Sequence, residues 1–241
     1  MNPPEREYVS IGNLDRKMDK DYLVQHGYLT PNMIPANVGY GGVLAGTNDV
    51  LVGPQTIANG DDADGRAKSF TSFGGAGDQA GIDGGVGPVY NMTQTRWNPF
   101  VAVRFKLAQI VTQRFWFGLF AASPLGADVN IEGVGIRAST VPAITNFAAY
   151  SSDGVIDNIQ NFPVAVAQNA LVHWAIITFK NAGLGVSIQL DNQKVDFTTR
   201  LPAVITPLAM TLAVQATGIA VKVLRIYRGY VEHDARVINV L

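Results

Sequence analysis

The run Leu171–Thr198, LVHWAIITFKNAGLGVSIQLDNQKVDFT, carries more fold information than any other part of the chain. It reads as two long strands and the start of a third, joined by short turns at Asn181–Gly183 and Asp191–Asn192. Ile, Val, Phe and Trp crowd both flanking runs, and such side chains suit a pleated, packed surface. Its ionisable side chains are one His, two Lys and two Asp, with no cluster of acid, base or nucleophile. Fold is legible here and chemistry is not.

The same texture extends to either side. In Phe100–Leu107, Val101, Val103, Phe105 and Leu107 share one face, and Arg104 and Lys106 share the other. That period of two marks a half-buried strand. Arg114–Ala121 (RFWFGLFA) is apolar on both faces and belongs centrally, between packed layers. Gly133–Ser139, Thr145–Ser151 and Val164–Ala167 are shorter candidate strands. Leu208, Met210, Leu212 and Val214 alternate inward, and in Ala220–Val231 the phase slips near Val223–Leu224, as a β-bulge would cause. No long stretch keeps a helical period. Short strands separated by Gly, Pro, Asn and Asp indicate an all-β protein, a sandwich or jelly roll.

The region before residue 100 is less regular. Residues 1–36 concentrate charge between prolines and read as an N-terminal arm or short helix. Residues 37–241 read as the sandwich domain, with short strands at Gly39–Leu44 and Asp49–Val52, a loop at Asn59–Gly65 and a strand at Arg66–Phe73. The tract GGAGDQAGIDGGVGP, residues 74–88, has seven glycines in fifteen positions. Glycine loses the most freedom on ordering, so this tract reads as a flexible loop or an arm lying along a neighbour.

Composition narrows the functional classes. Hydrophobic residues make up 47% of 241, enough for a large core, while charged residues make up only 15%. Soluble domains average about 25% charged residues, so the low value suggests a surface covered by neighbours. A net charge of −1 and a pI near 6.3 give no electrostatic footprint for nucleic acid or an anionic membrane. With no cysteine, disulfides, thiol nucleophiles and cysteine–zinc sites are impossible. The start MNPPEREYVS lacks an apolar signal region, and no run approaches the roughly 18 apolar residues of a membrane span. Synthesis in a cytoplasm is the expectation.

His173-Trp174-Ala175-Ile176-Ile177-Thr178, followed by Val186 through Val195, resembles the central hairpin of concanavalin A-like, laminin-G-like sandwiches. Asn192 stands where that family usually has Gly, and Asn tolerates the left-handed turn conformation. Arg114–Phe120 is similar to the family's W-x-G-L strand, and Ala220–Tyr230 to its closing strand. The resemblance implies a jelly roll over residues 97–231, with 38–93 supplying edge strands. The superfamily holds lectins, glucanases, adhesive modules and structural proteins of virus particles, so fold does not choose among them.

Residue types test each chemistry in turn. A glycosidase needs paired carboxylates flanking a sugar bond. The glutamates are Glu5, Glu7, Glu132 and Glu232, and no E-x-D-x-x-E strand exists. The histidines are His26, His173 and His233, and no G-x-S-x-G occurs. His173 alternates with Ala175, Ile177 and Phe179 and reads as a packing residue. Glu232-His233-Asp234 imitates a metal triplet, yet consecutive strand residues point to opposite faces. Asp61, Asp62, Asp64 and Gly65 imitate a calcium loop, but aligning Gly65 puts Gly60 and Thr71 at ligand positions, and the match fails. The glycine tract lacks the Lys-Ser/Thr of a phosphate loop. Asn91-Met92-Thr93 is a glycosylation sequon by pattern only. Trp116 and Trp174 read as core. Trp97, before Asn98-Pro99, remains as a surface aromatic, and with Asp153 and Asp157 it forms the candidate glycan contact. The two aspartates read first as turn formers.

These observations lead to a non-enzymatic virion structural protein, a bacteriophage capsid decoration (cement) protein that bridges shell subunits. Its expected partners are major capsid or other virion proteins and copies of itself, as trimers. No cofactor, catalytic residue or metal, and no nucleic acid or membrane partner, is expected. The rival expectation is a carbohydrate-binding adhesin or a tail-fibre or spike receptor-binding module.

Overall fold

The computed structural model describes residues 55–83, 94–109, 111–126, 130–140 and 143–232. The expected N-terminal arm, the strands at Gly39–Leu44 and Asp49–Val52, and His26 and His233 lie outside them. Alternating apolar residues become strands throughout. In chain order these are β1 (Gln55–Asp62), β2 (Gly65–Ser72), β3 (Gln79–Asp83), β4 (Phe100–Leu107), β5 (Gln113–Phe120), β6 (Gly133–Thr140) and β7 (Ala143–Ser152). Then follow β8 (Asp157–Asn161), β9 (Val172–Lys180), β10 (Gly185–Leu190), β11 (Gln193–Phe197), β12 (Ala209–Ala216) and β13 (Val223–Glu232). A seven-stranded sheet runs β1-β2-β13-β4-β9-β10-β11 and a six-stranded sheet runs β3-β12-β5-β6-β7-β8. Their strand pairings are antiparallel, and chain neighbours such as β2 and β3 or β4 and β5 lie in opposite sheets. This is a jelly-roll β-sandwich.

The core lies between the sheets. Val101, Val103, Phe105 and Leu107 of β4 face Phe115, Phe117 and Leu119 of β5 and Met210, Leu212 and Val214 of β12, all fully or almost fully buried. Phe105 stacks on Phe115 across the gap with ring centroids 4.8 Å apart, and Phe147 meets both edge-on. Such pairs add about 0.5–1.5 kcal/mol beyond area burial. The inward faces of β4 and β12 are those the alternation specifies.

The six-stranded sheet is covered on its outer side as well. Trp116, Phe120 and Tyr150 form a buried cluster there, with Leu125 and Ile131 packed on it. Those two residues belong to the segment after β5, which folds back over the sheet: the Gly126 amide donates to Gln215 Oε1 and the Ile131 amide to the Tyr150 hydroxyl. This explains the two apolar faces of Arg114–Ala121. The Phe120 ring lies over Gly118 and Gly135, where a Cβ on Gly118 would sit 2.1 Å from the Val134 carbonyl oxygen.

Several expectations change. The glycine tract is not wholly a loop, because Gln79–Asp83 forms β3, paired with β12. Ala80 and Ile82 point into the core, and Gly81, at φ +132°, allows a backbone approach in which a Cβ would fall 2.3 Å from the Leu212 carbonyl. Asn59–Gly65 is a tight hairpin rather than a loop, with β1 and β2 in register from Asp62–Gly65 onward. Val164–Ala167 contributes one isolated bridge, Asn146 to Ala167. The bulge falls between Ile226 and Arg228, a few residues beyond the expected slip. In the Asp191–Asn192 turn the left-handed residue is Asp191, at φ 52°.

Replacing Gly118 with Ala forces backbone movement in two strands and displaces Phe120. Chemical denaturation of Gly118→Ala should show a loss of about 3 kcal/mol, against a minor change for Gly185→Ala, whose Cβ would meet only the Phe197 carbonyl oxygen at an ordinary 3.8 Å.

Candidate functional site

The outer side of the seven-stranded sheet is the face that carries charge. Because Val103, Phe105 and Leu107 point inward, Arg104 and Lys106 on β4 must point outward. Directly across from Arg104 on β9 is Trp174, and across from Lys106 is Val172. On the other side of β4 the register pairs Lys106 with Arg225 and Arg104 with Arg228 of β13. The bulge at Tyr227 inserts an extra residue between Ile226 and Arg228, and so Tyr227 lies next to Arg104. The Arg104 guanidinium sits 4.9 Å from the Tyr227 ring centroid, a cation–π contact.

The β1–β2 hairpin supplies the counter-charges. Asp62 Oδ2 accepts from the Arg225 guanidinium at 2.6 Å and from the Tyr227 hydroxyl at 2.7 Å, while its Oδ1 accepts the Asp64 amide at 2.8 Å. Asp64 pairs with the Lys106 ammonium at 2.5 Å. The Tyr227 hydroxyl bond, joined by Arg225 and the Asp64 amide, outweighs desolvation and holds the Asp62 carboxyl below its ordinary value. Burial, with Asp62 beside it, pushes the Tyr227 phenol up. Asp62 and Asp64 are thus neither a solvated loop nor a calcium cradle but a counter-ion turn.

Trp174 is held from behind. Its amide donates to Asp191 Oδ1 at 2.9 Å, and its carbonyl accepts the Asp191 amide at 2.7 Å. The second carboxylate oxygen of Asp191 meets His173 Nδ1 at 2.9 Å, and the other ring nitrogen of His173 meets Asn169 Oδ1 at 3.1 Å. His173 is buried on the inner face against Phe105 and Phe147, the packing role its alternation implies. Trp174, expected in the core, is instead half-buried on the outer face, because it follows inward His173 by one residue.

The sequence-derived glycan candidates fall elsewhere. Trp97 ends the 3₁₀ turn Thr95–Trp97 that leads into β4, and its side chain lies outside the described residues. Asp153 and Asp157 flank the turn between β7 and β8, in the other sheet. Asp153 Oδ1 accepts the Val155 and Ile156 amides at 3.0 and 2.8 Å, and its Oδ2 accepts from Arg200 at 3.0 Å. Asp157 accepts the Asn130 amide and the Tyr150 hydroxyl, the latter at 2.7 Å. Sequence reasoning missed the Arg104–Tyr227–Asp62 arrangement because it joins β4, β13 and β1. The outward phase of Arg104 and Lys106 was the available signal.

No protein-family model matches the sequence, and no curated protein does. Among solved structures the chain is similar to the carbohydrate recognition domain of Emp46p in its potassium-bound form, at 13% identity and a TM-score of 0.49, covering 86% of this chain and 97% of that one. It is also similar to alginate lyase A1-II′ of polysaccharide lyase family 7, at 10% identity and TM-score 0.45, over 73% and 82% of the two chains. A Bacillus licheniformis β-glucanase follows at 14% identity and TM-score 0.42, over 76% and 94%. The expectation of a protein without catalytic function is corrected here, since alginate lyases and β-glucanases are enzymes. A missing E-x-D-x-x-E strand tests one catalytic constellation, whereas a sheet face assembles ionisable groups from several strands.

The two backbone amides, followed by Arg200, hold the Asp153 carboxyl at about 2, below the ordinary 3.8. A depressed carboxyl stabilises the fold fully above its unfolded value and ceases to do so as pH falls through the folded one. The melting-temperature gap between the native protein and Asp153→Asn should therefore be widest above pH 3.8 and close as pH drops toward about 2. With its two sheets, antiparallel pairing and inter-sheet core, the chain is an all-β jelly-roll sandwich, the fold class its alternation pattern specifies.

Proposed function

We propose that this protein binds carbohydrate across the outer face of its seven-stranded sheet, with Trp174 as the stacking surface. The observation that carries the reading is the Arg104–Trp174 pair on adjacent strands β4 and β9, with the indole partly exposed and its backbone clamped by Asp191. Sugars are recognised by an apolar ring face together with hydrogen-bonding groups at its edge. A rigid tryptophan beside a five-donor guanidinium supplies both. We place the ligand here rather than at Asp153 and Asp157, whose oxygens are taken by backbone amides, Arg200 and the Tyr150 hydroxyl.

A second reading, a subunit of a virus particle such as a capsid decoration protein, is favoured by another observation. Val155 and Ile205 are 74% and 63% exposed on two adjoining loops. Those loops are pinned by the Asp153–Arg200 pair and by Glu132, which accepts the Ala203 amide and the Thr206 hydroxyl. Rigid loops presenting apolar side chains suit burial against neighbouring subunits. A protein that stayed monomeric in light scattering and bound no shell subunit would end this second reading.

A glycan array with intrinsic fluorescence titration tests the first. Trp174→Ala should weaken the best ligand about tenfold or more, since stacking on an aromatic ring contributes on the order of 1–2 kcal/mol. Unchanged affinity in a folded Trp174→Ala protein would place the ligand elsewhere.

A further inference from the structure

We infer that the sugar taken by this face carries an anionic group, a carboxylate or a sulfate ester, received by Arg104. The inference rests on the carbohydrate reading and concerns the chemical class of the ligand. It begins with a charge count on β4 and β13. Lys106 is neutralised by Asp64 and Arg225 by Asp62, each through a direct ion pair. Arg104 has no carboxylate partner among the described residues; its guanidinium lies over the Tyr227 ring. That ring cannot be the counter-ion, because its hydroxyl already donates to Asp62. Stacking on the ring leaves the in-plane N–H fork of the guanidinium available, and this fork fits carboxylate or sulfate oxygens two at a time.

Two further features agree. Trp174 is the neighbour of Arg104 on β9, one strand away, roughly 4.8 Å. One sugar unit spans that distance, so a ring stacked on the indole brings an acidic substituent over the guanidinium. The hairpin aspartates do not repel it strongly, because both are already paired with cations.

The test compares three oligosaccharides of equal length with the full chain: a polyuronate, a sulfated glycan and a neutral glucan. Affinity is read by calorimetry at low and moderate salt. At least one acidic ligand should bind about tenfold or more tighter than the neutral one, as expected for a bidentate charge-assisted pair. Which acidic ligand wins identifies the anion. Arg104→Gln should collapse the acidic-to-neutral ratio toward unity, and Arg104→Lys, which keeps the charge but not the fork, should fall between. Melting curves establish that each variant folds. If neutral and acidic ligands bind equally, in a manner lost in Trp174→Ala, the anionic inference is overturned and the carbohydrate reading stands. If a folded Arg104→Gln protein keeps its full acidic preference, the inference is likewise overturned. Failure of all three ligands, with no glycan found on the array, sinks both.

Discussion

The contact between Phe105 and Phe115 fixes more of this molecule than any other. It joins the middle of one sheet to the middle of the other, and Phe147 and His173 close around it. Once Phe105 must point inward, strand geometry sends Arg104 and Lys106 to the opposite side. A slip of one residue would exchange the two sets. The aromatic stack therefore sets both the core and the orientation of the cationic face. The Phe105 row also includes His173, so the Asp191 clamp on Trp174 is referenced to the same point.

The outer faces of the two sheets have different fates. The segment after β5 closes over Trp116, Phe120 and Tyr150, and Gly118 and Gly135 let the Phe120 ring lie close to the backbone. The opposite sheet keeps a polar face whose groups come from distant parts of the chain. Asp62 and Arg225 are 163 residues apart in sequence, yet they meet because β2 bridges β1 and β13. The bulge then brings Tyr227 alongside, a local irregularity with a chemical consequence.

What could be read from the sequence was mostly periodicity. The inward residues of β4 and β12, the two-faced apolar run of β5 and the hairpin around Asn181–Gly183 follow from alternation and turn chemistry. Failures came where a non-local partner overrides local preference. Gly81 looked like part of a flexible tract, yet β12 needs a residue without a side chain at that point. Asp62 and Asp64 looked solvated because Arg225, Tyr227 and Lys106 are remote in the chain. Trp174 looked like core because its strand is apolar throughout, although its parity with His173 sends it outward. Motif searching also led to the expectation of a non-enzyme, since it examines consecutive residues and a sheet face is built from non-consecutive ones.

The Ala63–Asp64 turn has one more implication. It is a short surface hairpin whose two flanking acids quench two of the cations on the face behind it. Hairpin tips change sequence at little cost to a fold. Evolution could thus retune the electrostatic strength of this sheet face by editing Asp62 and Asp64 while the strands underneath stayed untouched. In such a molecule ligand preference would drift faster than architecture, and homologues of identical topology would be expected to differ first at this small acidic corner.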